Sequence, residues 1–174
     1  TLIESRWTLP IIPKGTVLHH HAIAVENGRI IDVLPAAEAQ ARYEAIERVE
    51  LPNSIVMPGF VNLHAHAAMN LVRGLGADLP LMDWLTQKIW PAEGKLMSPD
   101  FVREGSYLAG LEMAAGGITT ASDHYFFPED AASGLREAGL RCAVAGIVIG
   151  FPSAWAKSDE EYLEKAEAFI EAHR

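Results

Sequence analysis

The chain has 174 residues, 49% of them apolar and 21% charged, which is enough apolar material for a packed core and unlike the composition of a disordered segment. Its formal net charge of −9 is spread along the chain, so no basic face is available to bind a nucleic-acid backbone or an anionic membrane. The longest apolar run, Ala143 to Phe151, falls well short of the ~20 residues that a membrane-spanning helix needs.

Thr1 opens the chain, and the first ten residues lack the basic-then-apolar profile of a signal peptide, so no export signal is expected. Residues 1–56 are rich in short β-type segments. Thr16 to Glu26 carries Val17, Leu18, Ile23 and Val25, and Arg29 to Leu34 carries Ile30, Ile31 and Val33. Asn27-Gly28 between them favours the left-handed backbone of a two-residue turn, which predicts a tight antiparallel hairpin. A short strand over Glu47 to Leu51 is expected to extend the same sheet. His19, His20 and His21 fall in the first hairpin strand, where alternation sets the outer pair on one face and the middle one on the other. They read as a solvated edge rather than as a metal site.

From Ile55 strands alternate with helices: a strand over Ile55 to His66, a helix over Asp100 to Ala115, and a strand over Ile118 to Asp123. A helix over Glu129 to Ala138, a strand over Leu140 to Gly150 and a helix over Asp159 to Ala172 follow. Ser98 before Pro99 reads as an N-cap with proline at the first helical position, Gly116-Gly117 as a helix stop, and Ser158 with Glu161 as a capping box. Repeated β-then-α units imply a parallel sheet with helices outside it, either doubly wound or closed into a barrel. A closed eight-unit barrel takes roughly 250 residues, so three such units make less than half of one. Cys142 is the one cysteine, which rules out an intrachain disulfide and makes a reducing cytoplasm the expected setting.

The chemistry is concentrated in Met57-Pro58-Gly59-Phe60-Val61-Asn62-Leu63-His64-Ala65-His66. Alternation along a strand points Asn62, His64 and His66 one way and Val61, Leu63 and Ala65 the other, with the apolar set expected against the outer helices. In a barrel, two imidazoles at the C-terminal end of a strand stand where the active sites of such barrels lie, and both can reach one divalent ion. The loop between His66 and Ser98 is expected to hold no long regular element and to act as a lid. Within it Arg73 and Asp78 read as a mutual ion pair. Asp123 reads as a structural hydrogen-bonding group. His124 is open to two readings, a contact to the pocket or a partly exposed loop histidine.

The run from Met57 to His66 resembles the first-strand signature of the amidohydrolase superfamily. More narrowly, the stretch from His64-Ala65-His66-Ala67-Ala68-Met69 through Arg73-Gly74, Asp78-Leu79-Pro80-Leu81, Trp84-Leu85 and Ile89-Trp90-Pro91-Ala92-Glu93 is similar to the 5-methylthioadenosine/S-adenosylhomocysteine deaminases. Asp123, Tyr125-Phe126-Phe127-Pro128-Glu129 and Phe151-Pro152-Ser153-Ala154-Trp155-Ala156 extend the likeness. The resemblance implies an α/β fold: the N-terminal part of a metal-dependent (β/α)8 TIM-like barrel (57–174) preceded by a small β-sandwich-type domain (1–56). It implies hydrolytic deamination of adenine nucleosides to the inosine analogue and ammonia, with one divalent ion, zinc, as cofactor. His64 and His66 match the paired metal ligands, Glu93 the carboxylate that accepts the ribose hydroxyls, and Trp84 an aromatic residue beside the nucleoside. His124 departs from the family pattern, in which a methionine is common. No general acid or base of the family falls within this chain; those groups and the other ligands come from later strands. Guanine or triazine hydrolysis on the same scaffold is the alternative among enzymes, and an inactive barrel fragment serving as an interaction module is the alternative outside them. Whether the protein is a homo-oligomer is left open.

Overall fold

The hairpin turn at Asn27-Gly28 sets the register of the N-terminal sheet, with both residues at positive φ (49° and 72°) as a primed turn requires. It joins β2 (Leu18–Glu26) to β3 (Arg29–Pro35). In the computed structural model, which describes residues 1–173, β1 (Leu2–Thr8) pairs antiparallel with β2 and parallel with β4 (Arg48–Val56). Arg174, the last residue of the expected 57–174 unit, lies outside the described residues. The sheet order is β3-β2-β1-β4, and α1 (Ala36–Arg42) lays Ala39 into a small core with Leu2, Ala22, Ala24 and Leu34. Of the histidine triplet, His19 and His20 are exposed and His21 is half-buried with Nδ1 bonded to the His19 carbonyl at 2.8 Å. Among the described residues the triplet joins no cluster able to hold a metal.

The chain divides into two compact units, Thr1–Pro58 and the remainder from Gly59. The strand expected over Ile55 to His66 is broken accordingly: β4 ends at Val56 and β5 (Phe60–Ala65) begins after Met57-Pro58-Gly59. Pro58 offers no backbone donor to a ladder, and a side chain at Gly59 would run into Thr119.

In the second unit β5, β6 (Ile118–His124) and β7 (Arg141–Ala145) form a parallel sheet in sequential order, an α/β arrangement. The helices that follow these strands have the expected punctuation. In α4 (Pro99–Ala115) Ser98 Oγ accepts the Phe101 N–H at 3.1 Å, and Gly117 at φ 82° carries the chain past the helix end. In α6 (Asp159–Ala172) Ser158 Oγ accepts the Glu161 N–H at 3.3 Å. The Glu161 carboxylate reaches back to the Lys157 N–H at 2.7 Å, one residue beyond the partner of a standard capping box. Between these helices, α5 (Pro128–Glu137) lies so close to α4 that a Cβ on Gly134 would run into the Arg103 carbonyl oxygen. The strand expected over Leu140 to Gly150 stops at Ala145, opposite His124 where its partner β6 ends, and Gly146 just beyond it is pressed against Ala166 of α6. The core of this unit is built on Val102, Tyr125, Phe126, Trp155 and Tyr162.

The segment from His66 to Ser98 corrects a second expectation. A 3₁₀ turn covers Ala67–Val72, and a helical run extends through α2 (Leu81–Trp84), a π turn (Leu85–Ile89) and α3 (Trp90–Leu96). Pro91 and Gly94 disguise this helix in the sequence. The π turn, in which the Trp90 N–H reaches back to the Leu85 carbonyl, passes the chain to Pro91, which needs no donor. No helix among the described residues is long and apolar enough to cross a membrane.

Candidate metal centre

His64 lies near the end of β5, and His66 is the residue that caps the 3₁₀ turn after it. The alternation that was to place Asn62 beside them does not hold. The β5–β6 register shifts between Asn62 and Ala65, and the Asn62 amide is directed to Met113 of α4, while its Oδ1 accepts the His64 N–H at 3.2 Å. The apolar set is not packed against the helices either. Leu63 is 79% exposed and Val61 56%, because β5 is an edge strand of this sheet.

The two imidazoles are joined by a third. His124 ends β6, the parallel neighbour of β5, and its ring centroid lies 4.8 Å from that of His64 and 4.5 Å from that of His66. The nitrogens that the three rings offer as ligand atoms all lie within 4.8 Å of one another. Nitrogens each about 2.0–2.1 Å from one ion stand at most about 4.2 Å apart, so movements well under an ångström bring this donor set to coordination distance. The residues therefore fit a divalent ion of the borderline-soft kind that imidazole favours. Burial and the neighbouring imidazoles of His66 and His64 hold the His124 pKa below the ordinary histidine range, which keeps its lone pair available near pH 7. His66 Nδ1 donates to the main-chain carbonyl of His124 at 2.8 Å, which assigns Nε2 of His66 as its free lone pair.

Two acidic residues border this cluster in different ways. Asp123 is fully buried, and its Oδ1 accepts the N–H of Ala67, the residue after His66, at 2.7 Å. That bond fixes the turn by which the chain leaves the histidine strand. Burial raises the Asp123 pKa, opposed by the Ala67 N–H, by His66 and by the His124 N–H. Asp123→Ala is expected to lower thermal stability by about 1–3 kcal/mol, the cost of an unpaired buried N–H, with Asp123→Asn recovering part of it. An unchanged melting temperature in Asp123→Ala would remove the structural role.

Glu93, on α3, is half-buried and accepts the Tyr125 hydroxyl hydrogen bond. Burial pushes its carboxyl above the usual glutamate range, with the Tyr125 hydroxyl and His66 pulling the other way. Tyr125 is itself buried against this carboxylate, which drives its pKa far above the ordinary tyrosine value and keeps the hydroxyl a donor. Its ring stands 6.3 Å from that of His66, so Tyr125 spans the distance between the carboxylate and the imidazoles. Sequence reasoning missed this tyrosine as a site residue, because its partner Glu93 lies 32 positions away in the chain. Beside Glu93 a cleft of about 260 Å³ is walled by Trp90, Met97, Phe126 and Phe151, with the Trp90 and Phe151 rings 5.1 Å apart.

Trp84, on α2, commits its indole N–H to the Leu75 carbonyl at 2.8 Å, so what it can present to a ligand is a flat face. Arg73 is paired with Glu112 and Asn70 rather than with the expected Asp78, which stands at φ 71°.

The Amidohydrolase family model matches residues 55–173. The chain is 42% identical over 164 residues to the 5-methylthioadenosine/S-adenosylhomocysteine deaminase of Saccharophagus degradans, covering 94% of this chain and 37% of the relative. It is 42% identical over 175 residues to the protein of the same name in Thermodesulfovibrio yellowstonii, covering 99% of this chain and 40% of that one. A solved adenosine deaminase of Xanthomonas campestris with bound zinc superimposes with a TM-score of 0.95 at 44% identity, over 99% of this chain and 39% of its own. The chain thus spans about two fifths of the length of the relatives it matches.

Proposed function

The chain belongs to the amidohydrolase family, and we propose that the protein carrying it deaminates adenine nucleosides hydrolytically. The substrates in this reading are 5′-methylthioadenosine, S-adenosylhomocysteine and adenosine, which give the inosine analogue and ammonia. The observation that carries the proposal is the link from Glu93 to His66 through Tyr125, whose hydroxyl donates to the Glu93 carboxylate and whose ring stands 6.3 Å from that of His66. Such an arrangement can hold a ribose while a purine ring faces the imidazoles. The relatives at 42% identity that bear the thioether-nucleoside deaminase name support the choice of substrate, and the zinc of the Xanthomonas enzyme supports the choice of metal.

The roles within the chain are those that the family resemblance implies. His64 and His66 hold the ion, with His66 oriented by its Nδ1 hydrogen bond to the His124 carbonyl. A bound zinc ion supplies the Lewis acidity that brings the pKa of a water molecule to about 7. Glu93, ionised, accepts from two vicinal ribose hydroxyls, and Tyr125 holds its carboxylate in place. Trp84 offers an aromatic face at the rim. In the net reaction the oxygen of water bonds to C6 of the purine, the C6–N bond breaks and the amino group leaves as ammonia. We place the general acid and base and the remaining ligands outside residues 1–174.

We read the fold accordingly as the first three β/α units of a (β/α)8 barrel (57–174), preceded by a small N-terminal β-domain (1–56); among the described residues that domain is one four-stranded sheet with α1 packed on it, not the two facing sheets of the expected sandwich. The sequential parallel order β5-β6-β7 supports the barrel reading. The single half-buried cysteine suits a reducing cytoplasm.

Ammonia release by the full-length, zinc-loaded protein tests the reading, with 5′-methylthioadenosine, S-adenosylhomocysteine, adenosine and guanine as substrates and His64→Ala as control. Turnover of the thioether nucleosides that disappears in the variant is the expected result. Activity on guanine alone would remove the ribose role of Glu93 and with it the proposed substrate class.

A further inference from the structure

We infer that the side chain of His124 is a third imidazole donor to the ion held by His64 and His66. The inference rests on the reading of those two as metal ligands and adds to it a residue from the neighbouring strand, outside the His-x-His motif. Three observations carry it. The His124 ring packs T-shaped against both others, at 84° to His64 and 70° to His66, with centroids 4.8 and 4.5 Å away. All three ligand atoms lie within 4.8 Å of one another, a small movement from coordination distance, and the ring is half-buried. The main chain holds the geometry, because β5 and β6 are paired from Phe60 to Asp123 and the His124 carbonyl accepts from His66 Nδ1.

That last bond uses the backbone of residue 124, so replacing its side chain leaves His66 oriented and isolates the imidazole's own contribution. A solvated strand-end histidine would predict no effect on the metal. A third nitrogen donor in a set of two from this chain predicts a large one, in affinity and in ligand field.

The test uses the full-length protein stripped of metal. Cobalt(II) titration reads the visible ligand-field bands, and competition with a chromophoric chelator reads zinc affinity. His124→Leu and His124→Asn are expected to weaken zinc binding by about tenfold or more and to change the cobalt bands. Melting in the presence of chelator should match wild type, and the zinc-induced rise in melting temperature should shrink. Should His124→Leu fail to fold, His124→Asn carries the measurement. Cobalt bands and zinc affinity within about twofold of wild type in the folded variant, with the bands lost in His64→Ala, would overturn the inference and leave the underlying reading intact. Bands retained in His64→Ala would overturn both.

Discussion

His66→Ala in the full-length protein is expected to cut nucleoside deamination on the order of a thousandfold or more, because the Lewis acidity that activates water leaves with the metal. It should do so at little cost to the metal-free fold. His66 is exposed, and its one side-chain hydrogen bond among the described residues, Nδ1 to the His124 carbonyl, ties together two segments that the β5–β6 ladder already holds. The expected signature is therefore zinc content near zero by elemental analysis, activity near background, and a melting temperature in chelator close to that of wild type. Asp123→Ala should give the converse, since its carboxylate is buried and bonded to the main chain of Ala67. There the fold loosens first, and the metal is lost as a consequence. If His66→Ala keeps its zinc and its activity, the pair His64/His66 is not the metal-binding pair.

Which parts of this site could be read along the chain follows from the range of the interactions that make them. The His64-x-His66 pair is local: His64 near the end of β5 and His66 just past it stand two positions apart, with ring centroids 5.0 Å apart. The Asn27-Gly28 turn and the Ser98 and Ser158 caps are local in the same sense, and the chain places them as their side chains require. Asn62 was misplaced because a register shift in the β5–β6 pairing breaks the alternation, and that shift belongs to both strands together. The helix from Leu81 to Leu96 was hidden because a π turn accommodates Pro91, which in a regular helix would end it. His124 meeting His64 and Tyr125 meeting Glu93 join segments far apart in the chain, so neither can be seen until β6 is set beside β5. The π turn also positions the site, since it falls immediately before the α3 stretch that carries Trp90 and Glu93.

Glu93→Gln is expected to lower kcat/KM for ribonucleosides by about 10–100-fold, the equivalent of the ~1.5–3 kcal/mol that a hydrogen bond to a charged group contributes. The glutamine keeps an acceptor for the Tyr125 hydroxyl but loses the charge that strengthens bonds from the ribose. The sign on stability is opposite. Burial raises the Glu93 pKa in the folded chain, so the native state holds the extra proton between the ordinary glutamate value and the raised one. Stability falls as pH rises through that window, and above it an ionised Glu93 burdens the free protein. Glu93→Gln should therefore melt at the same temperature as wild type or higher at neutral pH, while ribonucleoside turnover by wild type should show an acid limb above the usual glutamate range of about 4.3. The decisive comparison pairs each enzyme with adenosine and its 2′,3′-dideoxy analogue. Wild type should lose most of its kcat/KM on removal of the hydroxyls, and Glu93→Gln, already without the charge they address, should lose little more. Equal losses in the two enzymes would mean that Glu93 and the ribose hydroxyls act independently, and the carboxylate would then have to be assigned to holding Tyr125 alone.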